Sequence, residues 1–149
     1  YSGEGCVADL DVELRTKLYF EEGSSNIRIT REILSMSDPS ADVTINEYMV
    51  ACYGTTEYPE DMTGICLSAG DEKIEYEYKC REASVPGGRE AAAVIPAIDT
   101  RVSLSTDSDD AEVYVREGYA FSPMFTLGVQ KKIKDKEVVS TWLNLAKAN

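Results

Sequence analysis

Residues 6–20 read "CVADLDVELRTKLYF". Ala8, Leu10, Val12, Leu14, Thr16, Leu18 and Phe20 share one parity, and Asp9, Asp11, Glu13, Arg15, Lys17 and Tyr19 share the other. Alternation of apolar and polar residues along a segment this long is the pattern of a strand with one face on a core and one in water. A helix would scatter the same apolar groups around its axis. The segment therefore predicts a long, half-buried β-strand, and "EEGSSN" after it reads as a turn.

The same rule applies further along. "KIEYEYKC", residues 73–80, places Ile74, Tyr76, Tyr78 and Cys80 on one side and Lys73, Glu75, Glu77 and Lys79 on the other. "NIRITREILSM" has Ile27, Ile29 and Ile33 on one parity with Arg31 interrupting, and predicts a strand over 26–34. "VTINEYMVACY" is partly apolar on both faces and rich in β-branched and aromatic residues, which suits a central strand. "AAAVIPAID" holds Pro96, which fits an edge or a bend. In "KEVVSTWLNLAKAN", Val138, Trp142 and Leu145 recur at helical spacing, so a short C-terminal helix is expected.

About eight or nine strands separated by turns every 8–12 residues predict an all-β, antiparallel β-sandwich of Ig-like, Greek-key type. The alternative is a β-barrel closed around a small apolar ligand. At 149 residues the chain is read as one domain, 1–149, with a minor break at 83–90, "ASVPGGRE".

Composition narrows the function. Net charge is −12, from 15 basic and 27 acidic residues, and the acids concentrate before residue 87. Such a field repels phosphate backbones and anionic lipid, which argues against nucleic-acid partners, and it favours a protein partner with a basic surface. No apolar run reaches the length needed for a membrane-spanning helix. The absence of histidine removes Ser-His-Asp and Cys-His catalysis and the commonest zinc ligand. No residue pattern calls for a cofactor, and the chain is expected not to be an enzyme. A carboxylate-based hydrolase is the lesser alternative.

Four cysteines, Cys6, Cys52, Cys66 and Cys80, lack any CxxC spacing, which removes zinc ribbons and thioredoxin-type motifs. An even, scattered set suits two disulfides in an oxidising compartment. Parity favours Cys6–Cys80 and Cys52–Cys66, with Cys6–Cys52 and Cys66–Cys80 as runner-up. With a start at Tyr1 rather than Met, the chain reads as a processed or excised product. The expectation is an extracellular, secreted or cell-surface recognition module that binds a protein or glycan without catalysis.

Candidate binding residues are Glu57, Tyr58, Glu60 and Asp61 in the polar loop "GTTEYPEDMTG", together with Tyr19 on the wet parity of the first strand. "TDSDDAE" offers Asp107, Asp109, Asp110 and Glu112 as a weak calcium candidate, although the glycine of an EF-hand loop is missing and a solvated acidic hairpin turn is the plainer reading. The basic run "KKIKDK" reads as a solvated turn that meets an acidic neighbour.

Overall fold

The computed structural model of the chain describes residues 9–52, 64–77, 79–118 and 124–148. Among these, eleven strands form: β1 (Val12–Phe20), β2 (Asn26–Met36), β3 (Val43–Cys52), β4 (Cys66–Ala69), β5 (Glu72–Glu75), β6 (Glu82–Pro86), β7 (Glu90–Ile95), β8 (Thr100–Thr106), β9 (Glu112–Glu117), β10 (Met124–Ile133) and β11 (Val138–Lys147). They make two separate antiparallel sheets. The larger has the order β1-β2-β11-β8-β7-β4-β5 and the smaller β3-β10-β9-β6. The architecture is the expected all-β antiparallel sandwich, with more strands than the turn count suggested and with no single closed barrel.

Between the sheets, inward residues alternate as a two-layer core requires. Leu67, Ala69, Ala91, Ala93, Val102 and Leu104 of the large sheet meet Val113, Val115, Phe125, Leu127 and Val129 of the small one. The small alanines of β7 face the bulky Phe125 and Leu127, both fully buried, in one layer. A second cluster joins Ile33, Met36, Ile133 and Val139. Between the clusters, Arg31 is ion-paired with Glu47 of β3, and its Nη2 donates to Glu47 Oε2 at 3.2 Å. The charge that interrupts the Ile27–Ile29–Ile33 stripe is thus a link between the sheets.

Several sequence expectations are corrected. β1 is a strand, but every one of its residues is exposed, because the four strands of the small sheet do not reach the end of the seven-stranded one. β3 is an edge strand, not a central one. The expected C-terminal helix is β11, which pairs with both β2 and β8. Its β-branched Val138, Val139 and Thr141 suit a strand, and two neighbouring strands override a weak helical spacing.

"KIEYEYKC" is a strand only to Glu75. It enters through a tight turn in which Gly70 takes a positive φ of 54°, a conformation glycine adopts without steric cost. Tyr76 is buried, and its hydroxyl donates to the Met124 carbonyl at 3.3 Å. Beyond it the chain leaves the sheet to wind around Glu117, as described below. Cys80 therefore does not face the core: it is exposed, at φ 57°.

Candidate functional site

The large sheet has one face on the core, and among the described residues no sheet packs on the other, the open face. On the open face, register assembles a cross-strand row from five strands: Tyr19 (β1), Arg28 (β2), Trp142 (β11), Ser105 (β8) and Glu90 (β7). At the usual interstrand spacing such a row is about 19 Å long. The next row runs Asn26, Asn144, Ser103, Ala92 and Ser68. Small side chains therefore floor the middle of the face. Trp142, Arg28 and Tyr19 rise at one end, and Arg101 and Glu90 at the other. The result is a polar trough with an aromatic wall.

At the aromatic end lies a cleft of about 310 Å³ lined by Tyr19, Phe20, Glu21, Asn26, Arg28 and Trp142. The Arg28 guanidinium stacks over the Tyr19 ring, 4.1 Å from its centroid, an electrostatic attraction between a cation and the ring face. This holds a planar cation and a ring side by side next to the indole of Trp142. Glu21 brings a carboxylate to the same cleft from the turn after β1.

The other end is a hydrogen-bonded network. Arg101 pairs with Glu90, its Nη1 donating to Glu90 Oε2 at 3.2 Å and to Ser103 Oγ at 3.3 Å. Asn144 Nδ2 donates to Ser105 Oγ at 3.2 Å and to Ser103 Oγ at 3.4 Å. Partial burial pushes the Glu90 carboxyl toward its neutral form, but Arg101 and Ser103 outweigh it and hold the pKa below the usual range. The Arg101 pair therefore favours the ionised form of Glu90. Ser103 and Ala92, each 1% exposed, lie beneath this network although they point to the open face.

The most perturbed carboxyl among the described residues lies elsewhere. Glu117, at the end of β9, has a fully buried side chain paired with Arg81, Nη2 to Oε1 at 2.8 Å. It also accepts the backbone N–H groups of Glu77 at 2.6 Å, Lys79 at 3.0 Å and Arg81 at 3.1 Å. Burial would raise its pKa, but Arg81 and these N–H groups lower it to about 2. Every lone pair is committed, so this carboxylate is an anchor for the loop after β5 and not an acid or base. Cys80 and Arg116 border the same region.

Of the residues singled out in the sequence, Tyr19 lies in the aromatic cleft. Glu57, Tyr58, Glu60, Asp61, Tyr78 and Cys6 lie outside the described residues. The acids of "TDSDDAE" are dispersed along the crossing from β8 to β9. Asp109 pairs with Arg89, Asp110 with Lys131 at 3.0 Å, and Glu112 with Ser84, while Asp107 presents its carbonyl to Arg89. Among the described residues no group of three metal-ligating side chains gathers. Lys131 of the basic run meets its acid here. Trp142, Arg28, Asn144 and Ser103 drew no functional reading from sequence, because their neighbourhood exists only once four strands are in register.

The expected Cys52–Cys66 bridge is not formed, and neither Cys66 nor Cys80 is bridged. Cys52 is on the outer parity of β3 and Cys66 on the open face of β4, so the two point away from each other across the sandwich.

No protein-family profile matches the chain. No curated protein matches it in sequence. Solved structures do match in fold. The Slr1438 protein of Synechocystis sp. PCC 6803 aligns at TM-score 0.62 and 11% identity, over 93% of this chain and 55% of its own. A candidate aldose 1-epimerase of Escherichia coli K12 aligns at TM-score 0.58 and 11% identity, over 92% of this chain and 62% of its own. The chain thus spans 55% and 62% of the lengths of these two structures. At this identity the likeness is one of fold.

These findings overturn the expectation of a disulfide-stabilised, non-catalytic recognition module. Cys66 and Cys80 are not bridged, so neither the Cys52–Cys66 nor the Cys6–Cys80 pairing forms. The fold is shared with a candidate enzyme, which removes the ground for excluding catalysis. The barrel-carrier alternative is corrected as well, since the described strands form two separate sheets that pack on a shared core.

Proposed function

We propose that the chain carries the sugar-receiving face of an aldose-acting enzyme, and that the open trough of the seven-stranded sheet is where the sugar binds. The observation that supports this most directly is the aromatic end of the trough. Trp142 and Tyr19 offer apolar ring faces, while Arg28, Asn26 and Glu21 surround them with hydrogen-bonding groups. A pyranose needs this combination, because it presents axial C–H bonds on its faces and hydroxyls around its rim. The shared fold with a candidate aldose 1-epimerase supports the same substrate class.

The chemistry proposed is epimerisation at the anomeric carbon. The chain has no histidine, and a carboxylate, one of the remaining general bases, takes the proton-transfer role here. Glu21 takes the proton of the anomeric hydroxyl as the bond from the anomeric carbon to the ring oxygen breaks. The ring oxygen takes a proton from water in the open cleft. Rotation of the free aldehyde and reclosure by the reverse transfers give the other anomer and restore the carboxylate.

The chain has one tryptophan, so its fluorescence reports on this cleft alone. The test is titration with glucose and galactose, alongside polarimetry of freshly dissolved α-anomers. The expected result is saturable quenching or enhancement together with accelerated mutarotation. Trp142→Ala and Arg28→Ala should abolish the acceleration, and Glu21→Gln should abolish it while the fluorescence change persists. A fluorescence response without acceleration would overturn the enzymatic part, and no response of either kind would overturn the whole reading.

A further inference from the structure

Among the described residues the seven-stranded sheet ends at β1, which is paired on one side only, with β2. Val12, Leu14, Leu18 and Phe20 on its sandwich-side parity are 37%, 44%, 55% and 71% exposed. A strand this open, with a free row of N–H and C=O groups, is a template for another strand. The other edges are poorer templates. β5 has four residues, and β6 has five and ends on Pro86. β3 is as long, but its charged residue, Glu47, is turned inward to Arg31, so it has no charges with which to select a register.

We propose that β1 is a self-association edge, on which a second copy of the chain adds its own β1 in antiparallel fashion about a two-fold axis at Leu14. In that register Glu13 of each copy lies opposite Arg15 of the other, and Asp11 lies opposite Lys17. Val12 meets Thr16, and the two Leu14 side chains meet on the axis. Asp11 belongs to the ladder although it precedes β1. Its N–H donates to Ser37 Oγ at 3.0 Å and its carbonyl accepts from the Ser37 N–H at 2.9 Å, which continues the alignment with β2.

Charge complementarity carries the choice of partner and register. One dimer would contain four opposite-charge cross-strand pairs and none of like charge among these positions, and such pairs stabilise while like pairs repel. Moving the axis to Glu13 or to Arg15 sets two glutamates or two arginines opposite each other. A slip of one residue reverses the face of every side chain, and that would separate the two apolar stripes. An isologous two-fold contact also closes on itself, so the edge is used up in a dimer and does not propagate.

The test is sedimentation velocity across a concentration series of the chain and of Asp11→Lys and Lys17→Asp, with far-UV circular dichroism to confirm that each folds. The wild-type chain should dimerise. Each single reversal replaces two attractive pairs by two repulsive ones and should weaken dimerisation by at least about tenfold. An equimolar mixture of the two variants should recover it. In the mixed dimer the introduced lysine of one copy faces the introduced aspartate of the other, and the unaltered Lys17 and Asp11 face each other as in the wild type. A wild type that stays monomeric, a single variant that dimerises as tightly as wild type, or a mixture that does not recover would each overturn the proposal.

Discussion

Replacing Glu117 by Gln keeps the size of the side chain and removes its charge, in a place where four donor groups converge on one carboxylate. Gln can accept with one oxygen, but its amide N–H₂ then faces N–H donors and the Arg81 guanidinium. The magnitude follows from the pKa. A fall from 4.5 to about 2 corresponds to roughly 3 kcal/mol of preference for the ionised form in the folded state. That agrees with the roughly 3–5 kcal/mol lost when one partner of a buried ion pair is removed. For a chain of this length it should lower the melting temperature by about 6–12 °C.

The sign of the pH dependence makes this prediction specific. A carboxyl whose folded pKa is depressed contributes its stability in full above its unfolded pKa, near 4.5, and loses it as pH falls through the folded value near 2. Wild type and Glu117→Gln should therefore differ by about 3 kcal/mol at pH 7, and the gap should close as pH falls from about 4.5 toward 2. The other acids titrate in both proteins and cancel in the difference. Urea unfolding followed by Trp142 fluorescence and circular dichroism, at several pH values, measures the gap. A gap below about 1 kcal/mol at pH 7, or one that does not change with pH, would refute the assignment of Glu117 as the ionised anchor of residues 77–81.

Arg31→Met should destabilise the fold by about 3 kcal/mol, because Glu47, whose side chain is 12% exposed, is left between the sheets without its cation. Adding Glu47→Met should recover most of that loss, and a double-mutant cycle by urea unfolding checks it. Gly128→Ala should cost about 1–3 kcal/mol. The new Cβ would overlap Cζ of the Tyr114 ring, so the ring must lift and give up its hydrogen bond to Asn46 Oδ1 at 2.9 Å. The unfolding midpoint reports this, and an unchanged midpoint would mean that the ring does not lie over the glycine.

Period two along β1, β2 and β3 was readable because alternation distinguishes the two sides of a strand. It does not say whether anything covers either side. Leu14 and Leu18 alternate as core residues do, yet they are exposed, since coverage depends on how many strands the opposite sheet holds. Trp142 shows the converse problem. Val138 and Trp142 are four apart, a spacing that satisfies both a helix and a strand, and only the open edges of β2 and β8 decide between them.

The site residues were harder for a related reason. Tyr19 and Arg28 pair within the β1–β2 hairpin, whereas Trp142 comes from the last strand, and each is unremarkable in its own segment. Their meeting is a property of register, which the residues of one strand do not contain. Glu117 was one acid among 27, and no local pattern in "VYVREGY" marks it. What distinguishes it is the loop leading into the neighbouring strand β6, which turns three N–H groups toward it. The cysteines misled because an even count fits disulfides, whereas bridging needs facing Cβ vectors. Cys52 and Cys66 are on outer faces of opposite sheets. Alternation thus transmits the architecture through local contacts, while the chemistry of the trough depends on cross-strand pairs, and it is those pairs that the Trp142, Arg28 and Glu21 variants interrogate.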